Sequence, residues 1–512
     1  MALDFEEIKA TEDGLDVGAR IERYASEGWE SIPEDDRDAR LKWWGVFYRK
    51  QTPGLFMMRI RIPNGIATNE QLEALGQIAN EFGRGAIDIT TRQQVQLRWL
   101  RIEDVPEILR RLKEVGLVTL QTGMDNIRNV VGCSAAGVTP NELFDASGVV
   151  REFTEIFVGN RAFTNLPRKF NVAITACLDN CVMAETQDLA LIPATKEIGG
   201  RVLPGFNVLV GGKMGSGGYR IASPLDVFVE PHEAPRVAAE VIAIFRDYGS
   251  RQARNRSRFA FLVEEWGEAR LRDELEDRLE RPLARAGADA RNAGTTDHVG
   301  VWRQASPGMN YVGLLVPVGR TSGKHFIELA RLSKRYGKGE ARFTIGQNIL
   351  VPHVSDKDLT HVLESELLKE LPYAPSTFAR GTVSCTGKDF CALALIETKT
   401  YALDLVAAIE KERASPKRPI SVNWSGCPAG CGSHQASDIG FVGRQTRVDG
   451  KVIDAVDVYV GGSSGPGAVP GMKVMENVPC TELPKLVGFL SQYGDYQHLH
   501  KQLQQLAATP AA

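Results

Sequence analysis

The sequence predicts an internally duplicated α+β fold, because the chain matches itself in two blocks. An ungapped match at an offset of 254 residues aligns Phe82-Gly83-Arg84-Gly85 with Tyr336-Gly337-Lys338-Gly339. A second match at an offset of 250 residues aligns Val208-Leu209-Val210-Gly211-Gly212 with Val458-Tyr459-Val460-Gly461-Gly462. Similarity of a chain to itself at a fixed offset indicates repeated structural units. Two related halves are therefore expected.

Each half opens with the same predicted order of elements, strand, helix, strand, helix. In the first half these cover residues 55–62, 70–82, 86–100 and 106–115. The Arg84-Gly85 and Lys338-Gly339 pairs supply the turn that ends the first helix of each half. Two such units side by side are expected to form one sheet, because a lone two-stranded unit leaves its edges and an apolar face uncovered.

Length and composition are those of an ordinary globular protein with several domains. The 512 residues suggest about three units of domain size. A net charge of −3 argues against a dedicated nucleic-acid binder, which would carry a basic excess. The acidic N-terminus lacks a secretory signal and no apolar run approaches the ~18 residues of a membrane span, so we expect the cytosol. In the cytosol, cysteines are expected as thiols, metal ligands or catalytic groups.

Four of the eight cysteines lie within 47 residues of one another, and we call them the cysteine quartet: Cys385, Cys391, Cys427 and Cys431. Four thiolates are the ligand set of a [4Fe–4S] cluster. The glycines and the proline around them suit close approach of the backbone to a cluster. Cys427 and Cys431 are four residues apart, so a helical turn would direct both sulfurs to one side.

Other interpretations of the quartet stay open. A structural zinc site is disfavoured because zinc-binding pairs usually have two to four residues between the cysteines, and five separate Cys385 from Cys391. Unrelated buried cysteines are the second alternative. A dithiol oxidoreductase is disfavoured because the chain has no Cys-x-x-Cys pair. Since Val131 faces Cys385 in the repeat, the first half lacks a full set, and we interpret the remaining cysteines as packing residues: Cys133, Cys177, Cys181 and Cys480.

Three motifs of the first half carry charge: Thr90-Thr91-Arg92-Gln93, Asp125-Asn126-Ile127-Arg128-Asn129 and Leu166-Pro167-Arg168-Lys169-Phe170-Asn171. A single arginine of this kind is most often a solvated or salt-bridged surface residue. All three motifs, however, lie in the half without the quartet, and Gly346 replaces Arg92 in the other half. This division indicates that one half holds a cluster while the other supplies cations for an anionic ligand.

Together with Cys-Thr-Gly-x-x-x-Cys and Gly-Cys-Pro-x-Gly-Cys, these motifs resemble those of the siroheme-containing nitrite and sulfite reductases, from about residue 45 onward. The resemblance implies three domains, in which two ferredoxin-like halves combine into one. The implied division is an N-terminal extension (1–45), ferredoxin-like halves (46–121 and 299–378), a first siroheme-pocket domain (122–284), a linker (285–298) and an iron–sulfur/siroheme domain (379–512). The linker is rich in Ala, Gly, Asp and Arg and has no periodicity.

The resemblance also implies the cofactors and the residues that hold them. Siroheme is expected between the domains, with the Cys431 thiolate bridging its iron to a [4Fe–4S] cluster on the quartet. Because siroheme carries many carboxylates, it needs arginine and lysine partners. The residues expected to bind it are Gln96 and Arg168, together with Arg92, Arg128 and Lys169. Arg92, Arg128 and Lys169 match the family's substrate-binding cations, which attract the anion and relay protons.

The residue two positions after Lys169 separates the two possible substrates. In the family pattern sulfite reductases have a lysine there and ferredoxin-dependent nitrite reductases an asparagine, and this chain has Asn171. Sulfite is bulkier and can be doubly charged, whereas nitrite is flat and singly charged, so a neutral amide favours nitrite. An ordinary turn amide is the plain structural alternative for Asn171. The expected reaction is six-electron reduction of nitrite to ammonium in nitrate assimilation; sulfite reduction is the alternative.

Electrons are expected from another protein, because no Gly-x-Gly-x-x-Gly opens a helix after a strand. The resemblance implies reduced ferredoxin, an acidic donor that docks transiently on a basic patch, and a monomeric enzyme of the cyanobacterial type. Candidate docking residues are Lys388, Lys411, Arg413, Lys417 and Arg418. A non-catalytic iron–sulfur electron carrier or sensor is the distant alternative, and it leaves Arg92, Arg128 and Lys169 unexplained.

Overall fold

The predicted duplication is visible in the pairing of long strands. In the computed structural model, which describes residues 3–215, 217–412, 419–490, 496, 499 and 501, Leu189 lies opposite Val210. Ile439 lies opposite Val460 in the same register of the other half. Since both pairs are related by the offset of 250 residues, the duplicated α+β fold is confirmed.

Two five-stranded sheets form the region that contains the first repeat block of each half. The first sheet contains, in spatial order, β1 (Val46–Tyr48), β2 (Phe56–Ile60), β5 (Val95–Leu100), β4 (Ala86–Ile89) and β13 (Arg320–Ser322). The second contains β11 (Gly300–Arg303), β12 (Met309–Leu314), β15 (Ile349–Ser355), β14 (Glu340–Phe343) and β3 (Ile66–Thr68). The expectation of one shared sheet is wrong. Each half instead lends one strand to the other's sheet, which covers an edge that would otherwise be open.

The single strand expected over residues 86–100 is also wrong, because the chain turns back between β4 and β5. Thr90 Oγ1 accepts hydrogen bonds from the backbone N–H groups of Arg92 and Gln94, over 3.2 and 3.1 Å. Gln93 between them has a φ of 57°, in the left-handed region that regular strand backbone does not adopt. The charged motif Thr90-Thr91-Arg92-Gln93 is therefore a turn between β4 and β5.

The helices of this region are α4 (Asn69–Phe82), α5 (Val105–Glu114), α9 (Gly323–Tyr336), α10 (Leu359–Leu363) and α11 (Glu366–Glu370). The two predicted helices of the first half are confirmed within one residue as α4 and α5. Thr68 and Gln71 form a capping box at the start of α4, which satisfies N–H groups that the helix leaves free. Helices α4 and α9 cross closely, since a Cβ on Gly76 would lie 2.6 Å from the Gly323 carbonyl oxygen.

The second part of the first half is a sheet covered by helices. Its strands are β6 (Val172–Ile174), β7 (Leu189–Ile198), β8 (Arg201–Val210), β9 (Ser223–Val229) and β10 (Ala288–Asp289), and its helices are α6 (Ser147–Phe157), α7 (Ala234–Tyr248) and α8 (Phe259–Leu279). Strand β10 belongs to the stretch 285–298 and pairs with β7. Within the stretch predicted as a linker, the backbone of β10 is therefore held by the sheet.

The second half ends in a corresponding sheet. Its strands are β16 (Thr382–Ser384), β17 (Val422–Ser425), β18 (Ile439–Val448), β19 (Lys451–Val460) and β20 (Met472–Pro479), and its helices are α12 (Thr377–Arg380), α13 (Thr398–Lys411) and α14 (Leu483–Leu490). Strands β16, β17 and β18 are parallel, as are β6 and β7 in the first half. Parallel strands end at the same edge of a sheet. The loops after β16 and β17, which contain the cysteine quartet, therefore meet.

Three large apolar clusters hold these parts together. The first unites residues of both halves, including Leu72 and Leu329. The second surrounds Phe170 in the first half, and the third surrounds Trp424 in the second. Because one core draws on both halves, the two repeat blocks at its centre stabilise each other by shared burial.

The N-terminal residues pack against the first half. They form α1 (Phe5–Thr11), α2 (Ile21–Glu27) and α3 (Glu34–Asp38). Lys9 is buried and its Nζ lies 3.2 Å from Asp125 Oδ2, while Trp43 Nε1 donates to the Thr164 carbonyl over 2.9 Å. Among the described helices of the whole chain, none has the length and apolar character needed to cross a membrane.

Candidate cofactor and anion site

Arg92 lies in the turn between β4 and β5. The neighbouring Gln93 has a fully buried side chain. Its Nε2 donates to the carbonyl oxygens of Gly132 and Phe343, each over 2.9 Å. Since these carbonyls belong to different halves of the chain, Gln93 anchors the turn where the halves meet, and Arg92 is positioned by that anchor.

Arg128 lies beside this turn and is tied to it through Asn129. The Asn129 Nδ2 donates to the Arg92 carbonyl over 2.9 Å. The backbone N–H of Arg128 donates to the Phe170 carbonyl over 2.8 Å, which brings the second charged motif against the third. Its guanidinium donates to the Met124 carbonyl, also over 2.8 Å. The three motifs that the sequence singled out are thus neighbours in space.

Asn171 is held by a buried ion pair that sequence reasoning missed. Its backbone N–H donates to Asp188 Oδ2 over 2.8 Å, and Arg258 donates to both oxygens of that carboxylate over 2.7 and 3.1 Å. The Asp188 and Arg258 side chains are 0% exposed. Asn171 Oδ1 is buried and has no hydrogen-bond partner among the described residues. A buried acceptor without a donor is costly, so this oxygen is available to a donor on a bound group.

Arg168 keeps donor capacity because its carboxylate neighbour is already paired. Arg254 binds both oxygens of Asp125 over 2.8 and 2.9 Å, and Lys9 lies 3.2 Å from it. Arg168 Nη1 makes only a longer bond of 3.4 Å to the same carboxylate. Its Nε is buried and has no partner among the described residues, so the guanidinium can bind a further anion.

Gln96 lies on β5 opposite Arg59 of β2. Its Oε1 accepts a hydrogen bond from the guanidinium of Arg98, which also donates to Asp88 Oδ2 over 2.8 Å. Arg98 reaches across to Thr386, the residue after the first cysteine of the quartet, over 3.4 Å. The described contacts of Gln96 therefore orient Arg98 toward the cysteine loop.

Four half-buried cations crowd together at this place, and we call them the cation group: Arg59, Arg92, Arg128 and Lys169. Burial and the charges of Arg258 and Arg92 lower the pKa of Lys169 to about 7. Burial and Arg92 lower the pKa of Arg59 to about 10. Burial, Arg59 and Arg92 lower the pKa of Arg128 well below its usual value. Mutual repulsion of this kind would be relieved by a bound anion.

The cysteine quartet gathers at the ends of β16 and β17. Burial and the other three quartet thiols raise the pKa of Cys427 to about 11, as expected when four thiols lie close together. Cys385 Sγ accepts a hydrogen bond from the Gly426 backbone N–H over 3.2 Å. Backbone N–H groups that point at sulfur stabilise thiolates and clusters.

The helical turn expected between Cys427 and Cys431 is wrong. The segment consists of successive turns, and Gly430 has a φ of 70°, which a right-handed helix cannot contain. A Cβ on Gly432 would lie 2.0 Å from the Trp424 carbonyl oxygen. Glycine is therefore required at 432 by close backbone packing, and tight turns present the two cysteines.

The cation group and the quartet meet at Cys431. Thr91 Oγ1, next to Arg92, donates to the Cys431 carbonyl over 3.1 Å. Negative charge on Cys431 would raise the pKa of Arg92 and of Lys169, so both cations lie near its sulfur. Cys431 is exposed, whereas the other three quartet cysteines are partly buried. One thiol of the quartet thus faces the cations of the other half.

Three cysteines that the sequence analysis interpreted as packing residues lie together. The Sγ atoms of Cys133, Cys177 and Cys181 are all within 4.8 Å of one another. Cys133 and Cys177 are buried, as expected for packing residues. Long-range folding brings Cys133 to two cysteines that are 44 residues or more away from it in the sequence. Cys480 is buried in the apolar core around Trp424, as its packing role predicts.

A second pocket lies where the second-half counterparts of the cation group meet first-half residues such as Thr91 and Cys181. Its volume is about 640 Å³, and its lining includes residues 344–346, the counterparts of residues 90–92. Pro419 and Ser421 stand there in place of Lys169 and Asn171. Of the described residues that line this pocket, Arg380 is the only arginine or lysine, and it binds Asp297 over 2.6 and 2.7 Å.

Sequence reasoning missed Arg59, Arg254 and Arg258. The repeat does align Asp188 with Asp438, which was a usable signal for a structural carboxylate. Arg258 gave no comparable signal, because it immediately precedes α8 in a region without a recognised repeat partner. Arg59 appears in the sequence only as a charged residue within an apolar strand, where a surface position was the ordinary interpretation.

Two family models match the chain. Residues 123–283 and 376–501 match the nitrite and sulphite reductase 4Fe-4S domain. Residues 48–115 and 302–367 match the nitrite/sulfite reductase ferredoxin-like half domain. Both matches occur twice, once in each half of the chain.

Individual relatives cover nearly the whole chain. A ferredoxin–nitrite reductase of Synechococcus elongatus is 43% identical, over 94% of each chain. A chloroplastic ferredoxin–nitrite reductase of Zea mays is 41% identical, over 90% of this chain and 82% of its own. The NirA protein of Mycobacterium tuberculosis superimposes with a TM-score of 0.89 at 34% identity, covering 94% of this chain and 92% of its own. By these matches the chain belongs to the nitrite and sulphite reductase family.

Proposed function

We propose that this chain is a cytoplasmic, monomeric ferredoxin-dependent nitrite reductase that reduces nitrite to ammonium in nitrate assimilation. One observation carries the proposal: the cation group of one half meets Cys431 of the quartet in the other. The reaction consumes six electrons and eight protons and releases ammonium and two water molecules. An electron source, an anion site and a proton supply are therefore needed together.

The quartet is proposed to hold a [4Fe–4S] cluster through Cys385, Cys391, Cys427 and Cys431. The loop geometry fits such a group, because the Gly426 N–H points at Cys385 Sγ and Gly432 permits close backbone packing. Cys431 is proposed as the thiolate shared with the siroheme iron, since it is exposed toward the cation group. Siroheme held there would supply an iron centre at which the anion could be reduced.

The carboxylates of siroheme are proposed to bind Arg168 and neighbouring cations of the first half. Two buried donors support this fit, because Arg168 Nε and Arg258 Nη1 have no partner among the described residues. Guanidinium groups with free N–H donors match carboxylates well. Gln96 is proposed to contribute to the same site through Arg98, whose guanidinium it orients.

Nitrite is proposed to bind between Arg92, Arg128 and Lys169. Their positive charges attract the anion and stabilise negative charge on its oxygens as electrons arrive. Lys169, with a pKa of about 7, can give up a proton near neutral pH and regain it from solvent. Asn171 Oδ1 can accept a hydrogen bond from a substrate oxygen once that oxygen is protonated.

Ferredoxin is proposed to dock on basic residues near the cluster loop. Lys388 lies in that loop and is exposed, and Lys411 is exposed at the end of α13. Arg413, Lys417 and Arg418, which the sequence also suggested, lie outside the described residues. An acidic donor would be drawn to such a patch with a rate that falls as salt rises.

Turnover of nitrite and of sulfite by anaerobically purified protein tests the proposal. With reduced ferredoxin we expect ammonium from nitrite at a rate well above that of sulfide from sulfite, and tetrapyrrole absorption in the protein. Fully iron-loaded protein without that absorption would instead indicate an electron carrier or sensor. Faster sulfite reduction would assign the chain to the alternative reaction.

Asn171→Lys sharpens this test. A second positive charge beside Lys169 favours the dianion, so the ratio of nitrite to sulfite turnover is expected to fall about tenfold or more. The backbone bond of residue 171 to Asp188 does not depend on its side chain, which keeps the fold of the segment. Asn171→Gln is the matched control, because it retains a neutral amide. An unchanged ratio in the lysine variant would remove Asn171 as the discriminating residue.

A further inference from the structure

We propose that Cys133, Cys177 and Cys181 bind a structural zinc ion, with His298 as the fourth ligand. The three Sγ atoms lie within 4.8 Å of one another. The side chains of Cys133, Cys177 and His298 are 1–3% exposed. Thiolate and imidazole in a buried set of four are ligands that zinc prefers. This site uses none of the residues assigned to nitrite reduction.

Two observed spacings support one ion: the mutual distances of the three sulfurs, and the distance from Cys133 to His298. In tetrahedral zinc sites, Zn–S bonds of about 2.3 Å and Zn–N bonds of about 2.0 Å place neighbouring sulfurs about 3.8 Å apart and a sulfur about 3.5 Å from the nitrogen. Cys133 Sγ lies 3.5 Å from His298 Nε2. A [4Fe–4S] cluster puts four irons between its cysteines and so needs a wider set. The compact trio therefore favours a single ion over a second cluster.

The surroundings of the imidazole and of one thiol also suit a metal. His298 Nδ1 lies 3.2 Å from the Tyr311 hydroxyl. Histidines that bind a metal usually engage the other ring nitrogen in such a bond, which fixes the ring and leaves Nε2 for the ion. The backbone N–H of Ala135 donates to Cys133 Sγ over 3.3 Å, which stabilises a thiolate there.

The ion would join three segments that are distant in sequence. Cys177 and Cys181 have three residues between them, within the usual spacing of a zinc-binding pair. The stretch that carries His298 already docks on their loop, because Asn292 N–H donates to the Leu178 carbonyl over 2.7 Å. Its side chain also donates to Asp179 Oδ1 over 3.2 Å. With four protein ligands the site has no open position, so its role is to fasten the connection between the halves.

The repeat gives this assignment a physical context. Cys177 and Cys181 occupy the repeat positions of Cys427 and Cys431, so each half has a pair of cysteines at equivalent positions. In the second half the other two quartet members lie on the loop after β16. In the first half Cys133 and His298 complete the set instead. The same duplicated loop can therefore hold two different inorganic groups, according to the partners that surround it.

Metal analysis of untagged full-length protein, purified anaerobically without chelators, tests the proposal. We expect about one zinc per chain in addition to the iron of the proposed cofactors. Zinc-edge X-ray absorption should show three sulfurs at about 2.3 Å and one imidazole nitrogen at about 2.0 Å. Zinc only at background level, or a disulfide between two of the three cysteines, would overturn it. So would a zinc shell without imidazole.

Zinc content of single-residue variants tests which side chains bind the ion. Cys133→Ser and Cys181→Ser are expected to lose most of the zinc, whereas Cys480→Ser, which alters a buried cysteine in another core, should retain it. Retention of a full zinc in both trio variants would contradict the assignment. If those variants fail to fold, the absorption spectrum of the unchanged protein decides alone. Zinc and iron are counted separately, so failure of the zinc site is distinguishable from failure of the nitrite reductase proposal.

Discussion

The two halves carry the same turn in equivalent positions, yet only the first presents a cation there. Gln93 Nε2 donates to the Phe343 carbonyl over 2.9 Å, and Gln347 Nε2 donates to the Ile89 carbonyl over 3.0 Å. Each glutamine thus anchors its turn to the opposite half. Between these matched anchors the first turn carries Arg92 and the second carries Gly346. Duplication has preserved the scaffold while the side chains at its surface have diverged.

The segments around Asn171 and Ser421 show the same contrast between a shared backbone arrangement and different side chains. The backbone N–H of Asn171 donates to Asp188, and that of Ser421 donates to Asp438, both over 2.8 Å. In both halves, therefore, an aspartate carboxylate accepts a hydrogen bond from the backbone N–H at the equivalent position. The groups beside them differ, since Lys169 becomes Pro419 in the second half. Charge, rather than backbone shape, therefore distinguishes the proposed anion site from the second pocket.

The largest expected effect is at Cys431, where the two kinds of site meet. Cys431→Ser should reduce nitrite turnover below detection, because it removes a proposed cluster ligand and the thiolate shared with siroheme. Iron content, the absorption spectrum and nitrite turnover measure the loss. Cys480→Ser is the matched control and should keep all three. Normal turnover in the Cys431 variant would show that the cation group faces some other ligand.

Exchange of the turn residues gives the next largest effect. Arg92→Gly copies the second-half turn into the first and should lower kcat/KM for nitrite about 10²–10³-fold, because one donor to the developing charge is lost. Gly346→Arg is the reverse change. A Cβ at 346 would meet its nearest atoms at 3.4 Å, and the residue does not have a positive φ, so the turn tolerates it.

The Gly346→Arg variant should leave nitrite turnover unchanged, since Gly346 lines the second pocket and none of the proposed nitrite-binding residues does. Steady-state kinetics of both variants with reduced ferredoxin make the comparison. Equal losses in the two variants would mean that the turns matter for folding rather than for charge. Loss only in Arg92→Gly would tie the effect to the first half.

The smallest expected effect is a dependence on pH through Lys169. Because burial and neighbouring cations lower its pKa to about 7, the lysine is positive below that pH and neutral above it. Carboxylates of a bound cofactor would raise this pKa, so KM for nitrite should increase as the pH rises through a value at or above about 7. Lys169→Arg should flatten this rise, since arginine stays charged.

Lys169→Gln should weaken nitrite binding about tenfold at acidic pH and much less at alkaline pH, where the native lysine is already neutral. KM values measured between pH 6 and 9 test both variants. An identical pH profile in all three proteins would assign the titration to another group.

Several features of the site were predictable because short stretches of sequence identify them. The quartet is recognisable from four cysteines among glycines, and the three charged motifs from their residue types. The turn at residues 90–94 was missed, although Thr90 and Gln93 make it in the structure. A run of strand-forming residues predicts a continuous strand. The hydrogen bonds that Gln93 makes to distant segments favour a turn instead, and local sequence does not reveal them.

By itself the sequence determined the duplication, the two helices α4 and α5, and the division between a cysteine half and a cationic half. Tertiary structure alone decided that β3 and β13 exchange between sheets, that Arg258 supports Asn171 through Asp188, and that three cysteines meet near His298. The physical reason is how far apart in the sequence the interacting residues lie. Local patterns record the period and turns of one segment, whereas contacts between distant segments depend on which packing of the whole chain buries the most apolar surface and pairs its buried charges.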